Sequence, residues 1–235
     1  MDEQKKQELI KRAWEVDSDS EMSLFISTFR DDDDATIVLI LCAWMSNGLK
    51  GEEIAIERFI EQEMGEHPLE YVLNYHKSNK WANRGVESFY GALTYTNLHR
   101  LLVALSGIYT QLGGFGNAYI YHLSNKRSKV KYAHEVLSMM MGTCSGFPTR
   151  TSNCTFYRSN LVFYYLYKNR LFDQDKSKML LPCNDVVFAR AKELGIISKD
   201  MKSNTKNVIE LTNIARDWFG NEDFYKLYDL LMFYD

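Results

Sequence analysis

The sequence predicts an all-α protein. Three observations carry that expectation. Apolar residues recur every three to four positions in one segment after another, no stretch alternates with a period of two for long, and only 3 prolines interrupt 235 residues. Hydrophobic residues make up 46% and charged residues 25%, the balance of a globular chain. About ten helices are expected, with no strands, repeats, low-complexity segments or long linkers.

In order, Gln4 to Val16 reads as a short amphipathic helix, and Leu24 to Arg30 leads into Asp31-Asp32-Asp33-Asp34. Four acids in a row look like a metal site, but they read better as caps and charges at a helix N-terminus, where free N–H groups and the dipole favour anions. The helix they open, Ala35 to Ser46, is apolar nearly all round and so belongs inside; Asn47-Gly48 ends it. Gly51 to Met64 follows, with Ile54, Ile56, Phe59 and Ile60 expected inside, and His67-Pro68 starts a helix running to about His76. Leu98, Leu101, Leu102, Leu105 and Ile108 mark a helix over Asn97–Leu112 that Gly113-Gly114 stops; Asn117–Leu123 is a short one. Val130–Met141 is helical, its three consecutive Met reading as core filler.

Gly142 to Cys154 is the longest run without periodicity and is rich in Gly, Ser and Thr. Such a loop exposes backbone N–H groups and approaches a phosphate closely. It opens onto Thr155 to Arg170, a helix crowded with aromatics, most of them core, with room for one or two near its start to stack on a base. After Pro182, the pair Asn184-Asp185 sits at a helix start, Val187, Arg190, Ala191 and Leu194 follow at helical spacing, and Gly195 closes it. Taken alone, this is an ordinary capped helix. Ser203–Phe219 and Phe224–Tyr234 complete the chain, the last capped by Asn221-Glu222-Asp223.

Net charge is only −3, but it is uneven. Met1 to Glu70 holds 18 acidic and 7 basic residues. Tyr121 to Arg170 holds 1 acidic residue and 8 basic ones: Lys126, Arg127, Lys129, Lys131, Arg150, Arg158, Lys168 and Arg170. That excess suits a polyanion surface; the alternative is a basic face balanced within the fold or against an acidic partner. Cys42, Cys144, Cys154 and Cys183 lack metal spacing, and thiols in a cytoplasmic chain are the expected state, with a Cys144–Cys154 clip as the alternative. No metal or other cofactor is expected. The polar, acidic start is no signal peptide, and the longest apolar run, Ala35 to Met45, is too short to span a membrane.

The stretch from Pro182 to Gly195 resembles the Pro-x-Asp-Thr-His…Leu-Gly-Leu segment of the helix-hairpin-helix DNA glycosylase superfamily. A gapless match puts Asn184 where that superfamily has its catalytic Asp, with Asp185 one residue on. A second segment, Asn153 to Tyr165, is similar to Gly-Ser-Ala-Cys-Lys-Arg-x-Asn-Leu-Phe-Leu-Arg-Trp of a bacterial branch: Arg158, Asn160 and Leu161 match, and the imine-forming Lys falls at Tyr157. The Phe25–Arg30 stretch, the acid cluster and the apolar helix ending in Gly are similar to the same branch, as is the Asp223–Asp229 stretch.

The resemblance implies a two-lobed helical glycosylase-like fold with a cleft between the lobes. Residues 1–235 would form one unit, with about 30–125 and the helices from 203 as one lobe and about 126–202 as the DNA-facing lobe. It implies a partner too: double-stranded DNA with a flipped base. Both catalytic residue types are absent from their positions, which argues against glycosidic cleavage by the superfamily's mechanism. The superfamily also includes phage-associated alpha-glutamyl/putrescinyl thymidine pyrophosphorylases and amino-acid:DNA transferases. The expectation drawn from them is a DNA base-modification enzyme that displaces pyrophosphate from an activated hydroxymethyluracil with an amine, an amino acid or a polyamine. Catalytic candidates are Asn184, Asp185, Arg158 and Tyr157; DNA-binding candidates are Arg150, Thr151, Asn153, Asn160, Lys126, Arg127, Lys129 and Lys131. The alternatives are a base-excision glycosylase using Asp185 and a non-catalytic helical DNA-binding or protein-interaction module. A cytoplasmic location, the host cytoplasm if phage-encoded, goes with any of them.

Overall fold

A computed structural model describes residues 2–17, 21–48, 51–125, 129–142, 144, 146–172 and 175–233, apart from the side chains of residues 21 and 76. It is 67% helix. Among the described residues twelve α-helices follow in order: α1 (Glu3–Glu15), α2 (Glu21–Ser27), α3 (Asp32–Met45), α4 (Glu53–Met64), α5 (Pro68–Ser78), α6 (Tyr95–Leu112), α7 (Phe115–Ser124), α8 (Ala133–Met141), α9 (Tyr157–Lys168), α10 (Asp185–Glu193), α11 (Thr205–Asp223) and α12 (Lys226–Phe233). None is long and apolar enough to cross a membrane.

The hub is α3. Every residue from Asp34 to Met45 is buried, so the helix has no solvent face and needs neighbours all round. It packs against α9, α5, α2 and α4. The acidic run does what its position demands: Asp31 caps α3 by accepting from the N–H groups of Asp33 and Asp34. Asp34 reaches sideways to accept from the Leu69 N–H at 2.6 Å, serving the start of α5. A cavity of about 770 Å³ lies at this end of α3 between Phe25, Phe29, Glu61 and His67. Its carboxylates Asp31 and Asp34 are thus already engaged as caps.

The second buried helix is α9, inside from Ser159 to Leu166. Its tyrosines meet α12 edge-on, Tyr164 lying 4.7 Å from Tyr228. The Tyr164 hydroxyl donates to buried Asp229 at 2.6 Å, and Lys168 stands 3.9 Å from the same carboxylate. Removing one member of a buried ionic group leaves another charge uncompensated, so Asp229→Ala is expected to cost about 3–5 kcal/mol of stability in urea titration.

The chain ends by returning to its beginning. α12 packs on α1, and Trp14 of α1 meets Phe219 edge-on. The buried apolar side chains form one continuous cluster from α1 to α12.

Four expectations are corrected. Ser88–Tyr90 (β1) and Leu93–Thr94 (β2) pair as an antiparallel hairpin; strands of two and three residues are too short to display alternation. Residues 221–223 do not cap the last helix but extend α11 beyond a kink at Gly220, whose φ is 75°. Ile54 faces outward, 58% exposed. Helices number twelve among the described residues, because the piece around Met22, read only as leading into the acidic run, forms a helix of its own in α2. All four cysteines are free thiols.

Candidate functional site

The far end of α3 is built differently from its capped start. Ser46 leaves the helix in extended geometry, and Gly48 sits at φ +74°, a backbone conformation natural only to glycine. The turn between them is held by one carboxylate. Glu52, at the start of α4, does not cap its own helix. It accepts instead from the Ser46 hydroxyl at 2.5 Å, from the Asn47 N–H at 2.9 and 3.0 Å, and from the Gly48 N–H at 2.9 Å.

Three of the four catalytic candidates meet this turn. Arg158, in the first turn of α9, donates from Nε to the Ser46 carbonyl at 3.0 Å and from Nη2 to the Asn47 side-chain oxygen at 2.8 Å. Tyr157 places its hydroxyl 3.4 Å from Ser46 Oγ. Asn184 caps α10 by accepting from the Val187 N–H at 3.0 Å, which fixes its amide orientation and aims Nδ2 at Gly48. A Cβ on Gly48 would stand 2.1 Å from Asn184 Nδ2 and 3.0 Å from Tyr157 Oη. So Asn184 and Tyr157 share one small space, which only a glycine leaves open. The fourth candidate, Asp185, is exposed at the first position of α10.

The electrostatics are distinctive. Burial pulls the Arg158 guanidinium below its ordinary pKa, opposed chiefly by Glu52 across the turn. Yet Arg158 makes no ion pair among the described residues; both its hydrogen-bond acceptors are neutral oxygens. Burial pushes the Tyr157 phenol up to about 12. Asn184 Nδ2, Asn160 Oδ1 and Ser159 Oγ are buried without hydrogen-bond partners among the described residues. The N-terminus of α9 has no side-chain cap, since Phe156 precedes it in left-handed geometry at φ +53°. A cleft of about 290 Å³ opens here, lined by Ser46, Asn47, Pro148, Thr155, Phe156 and Arg158.

The DNA-binding candidates divide. Asn160 is buried, its Nδ2 donating to the Thr155 carbonyl, and does not face solvent. Arg150 is engaged with Glu135 at 2.9 Å and with the Lys129 carbonyl. Thr151, Asn153, Lys129 and Lys131 are exposed; Lys126 and Arg127 lie outside the described residues. Within the basic block, Arg150 and Lys168 are thus matched by Glu135 and Asp229 inside the fold. The aromatic positions at the start of α9 are not free to stack: Phe156 is buried on His134 at 4.1 Å, and Tyr157 is tied to Ser46.

Ser46, Asn47, Gly48 and Glu52 join the site without having been singled out in the sequence, where Asn47-Gly48 reads only as a helix stop. The hairpin also borders it: Gly91 comes within reach of the Asn47 side chain, and Phe89 stacks on Trp44 of α3. Among the described residues no group of three His, Cys, Asp or Glu is placed to hold a metal ion.

Fold and site together define a helical protein in which a buried central helix ends in a glycine turn, gripped by a carboxylate on one side and an arginine on the other. Over residues 23–233 the chain matches the family described as a protein of unknown function (DUF2400), and it belongs to that family. No curated protein and no solved structure matches it.

Proposed function

We propose that this protein binds DNA, takes a flipped pyrimidine into the cleft at the start of α9, and displaces pyrophosphate from an activated hydroxymethyl group with an amine. One observation carries the reading: a half-buried guanidinium with no ion pair among the described residues, beside an uncapped helix N-terminus in a cleft. A desolvated cation whose partners are neutral oxygens has unused affinity for an anion, and an open helix N-terminus adds to it. A leaving pyrophosphate is such an anion, and Arg158 offers it the planar fork that lysine lacks. The amine nitrogen attacks the methylene carbon, the carbon–oxygen bond breaks, and pyrophosphate leaves with the electron pair. In this scheme Asn184 Nδ2 orients the reacting group from across Gly48, and the exposed lysines of the 129–131 segment hold the DNA backbone.

The test is incubation with duplex DNA carrying pyrophosphorylated hydroxymethyluracil and an amine, followed by mass spectrometry of the nucleosides. An aminated nucleoside with released pyrophosphate supports the reading, and base release would mean a glycosylase. Absence of DNA binding would leave a protein-interaction module. Replacing Lys126, Arg127, Lys129 and Lys131 with Ala is expected to flatten the salt dependence of DNA affinity, by about one unit of slope for each phosphate these side chains neutralise. An unchanged slope removes this segment from the interface.

A further inference from the structure

The proposed reaction releases a proton from the amine, and none of the four catalytic candidates is a good base at the right place. Asp185 points to solvent, Asn184 and Arg158 accept no proton, and the Tyr157 phenol is held protonated by burial. The hydrogen bonds around the turn supply another destination. Glu52 accepts from Ser46 Oγ, so the single Ser46 hydroxyl proton lies on that bond. In the contact between Ser46 and Tyr157, Ser46 can then only accept, and Tyr157 donates. Both hydroxyls in the row are therefore oriented toward Glu52.

We propose that Glu52 is the terminal proton acceptor of the site, reached from the substrate through Tyr157 and Ser46. The relay rests on the pyrophosphate-displacing function proposed for this cleft. As the amine nitrogen bonds to the methylene carbon and pyrophosphate departs with its electron pair, the amine's proton passes to the Tyr157 oxygen. The Tyr157 proton moves to Ser46 Oγ, and the Ser46 proton moves to Glu52. One proton is transferred in net, and both hydroxyls end as they began. Tyr157 is the member that touches substrate; Ser46 and Glu52 act through it. The grip of Glu52 on the Asn47 and Gly48 N–H groups keeps the row in register.

The experiment measures kcat, KM and the Kd for inorganic pyrophosphate, using full-length protein, DNA carrying pyrophosphorylated hydroxymethyluracil, and putrescine. Glu52→Gln is expected to lower kcat by about 100-fold or more, the usual range for removal of a general base, with KM and the pyrophosphate Kd unchanged. Glu52→Asp should restore part of the rate. Ser46→Ala leaves the backbone contacts of Glu52 in place and breaks the row, so it should lower kcat as much, and the double variant no further. Full activity in Ser46→Ala, or a Glu52→Gln defect that appears equally in pyrophosphate affinity, would overturn the relay while leaving the pyrophosphate reading intact. Wild-type protein that binds pyrophosphate but turns over none of this DNA would overturn the DNA reading, and the relay with it.

Discussion

Arg158→Lys is expected to weaken binding of inorganic pyrophosphate by roughly 10- to 100-fold, the effect of removing a charge-assisted hydrogen bond of about 1.5–3 kcal/mol. The cause is geometric. The guanidinium holds the Ser46 carbonyl with Nε and the Asn47 oxygen with Nη2, keeping the rest of its planar fork beside Gly146 at the cleft. A lysine ammonium on one flexible stem cannot hold the turn and face an anion at once. Turnover should fall more than binding, because the charge on the departing group grows as the bond breaks. Calorimetric titration with pyrophosphate is the measurement, and wild-type affinity in the variant would remove Arg158 from any anion site.

The second large effect belongs to Gly48. Alanine there carries a Cβ into a point 2.1 Å from Asn184 Nδ2, at a φ of +74°. Left-handed backbone costs an L-residue about 1–2 kcal/mol. Asn184 cannot retreat without loosening its cap on α10, worth about 0.5–2 kcal/mol. Gly48→Ala should therefore destabilise the protein by roughly 1.5–4 kcal/mol in urea titration, the sum of those two costs. Adding Asn184→Ser supplies a shorter capping side chain and should recover part of the stability. A stable single variant, or no recovery in the double, would mean that Asn184 does not press on Gly48.

Much of the helical architecture was legible because its signals are local. Asp31 and Asn184 cap the helices they precede, and α3 reads as buried from its unbroken apolar surface. Arg158, Tyr157 and Asn184 were named because their short segments resemble motifs of the glycosylase superfamily; taken alone, only the cap at Asn184 was legible. Glu52 could not. It looks like one acid among many in an acidic N-terminal third, and its role comes from reaching back to a turn that its own sequence does not mention. The charge of the basic block was only partly legible for the matching reason: Lys168 finds its carboxylate at Asp229, far along the chain, so local counting could not see it neutralised. The hairpin was hidden by its shortness.

The turn at 46–48, the start of α9 and the start of α10 are separated in sequence, Tyr157 alone lying 111 positions after Ser46. Each closure of such a loop must be made before its contacts can offset the entropy, which favours late formation. The site is therefore expected to assemble among the last folding events. A nascent or partly folded chain can carry most of its helices before this turn is gripped, so a probe of the cleft reports on complete folding more strictly than helical content does.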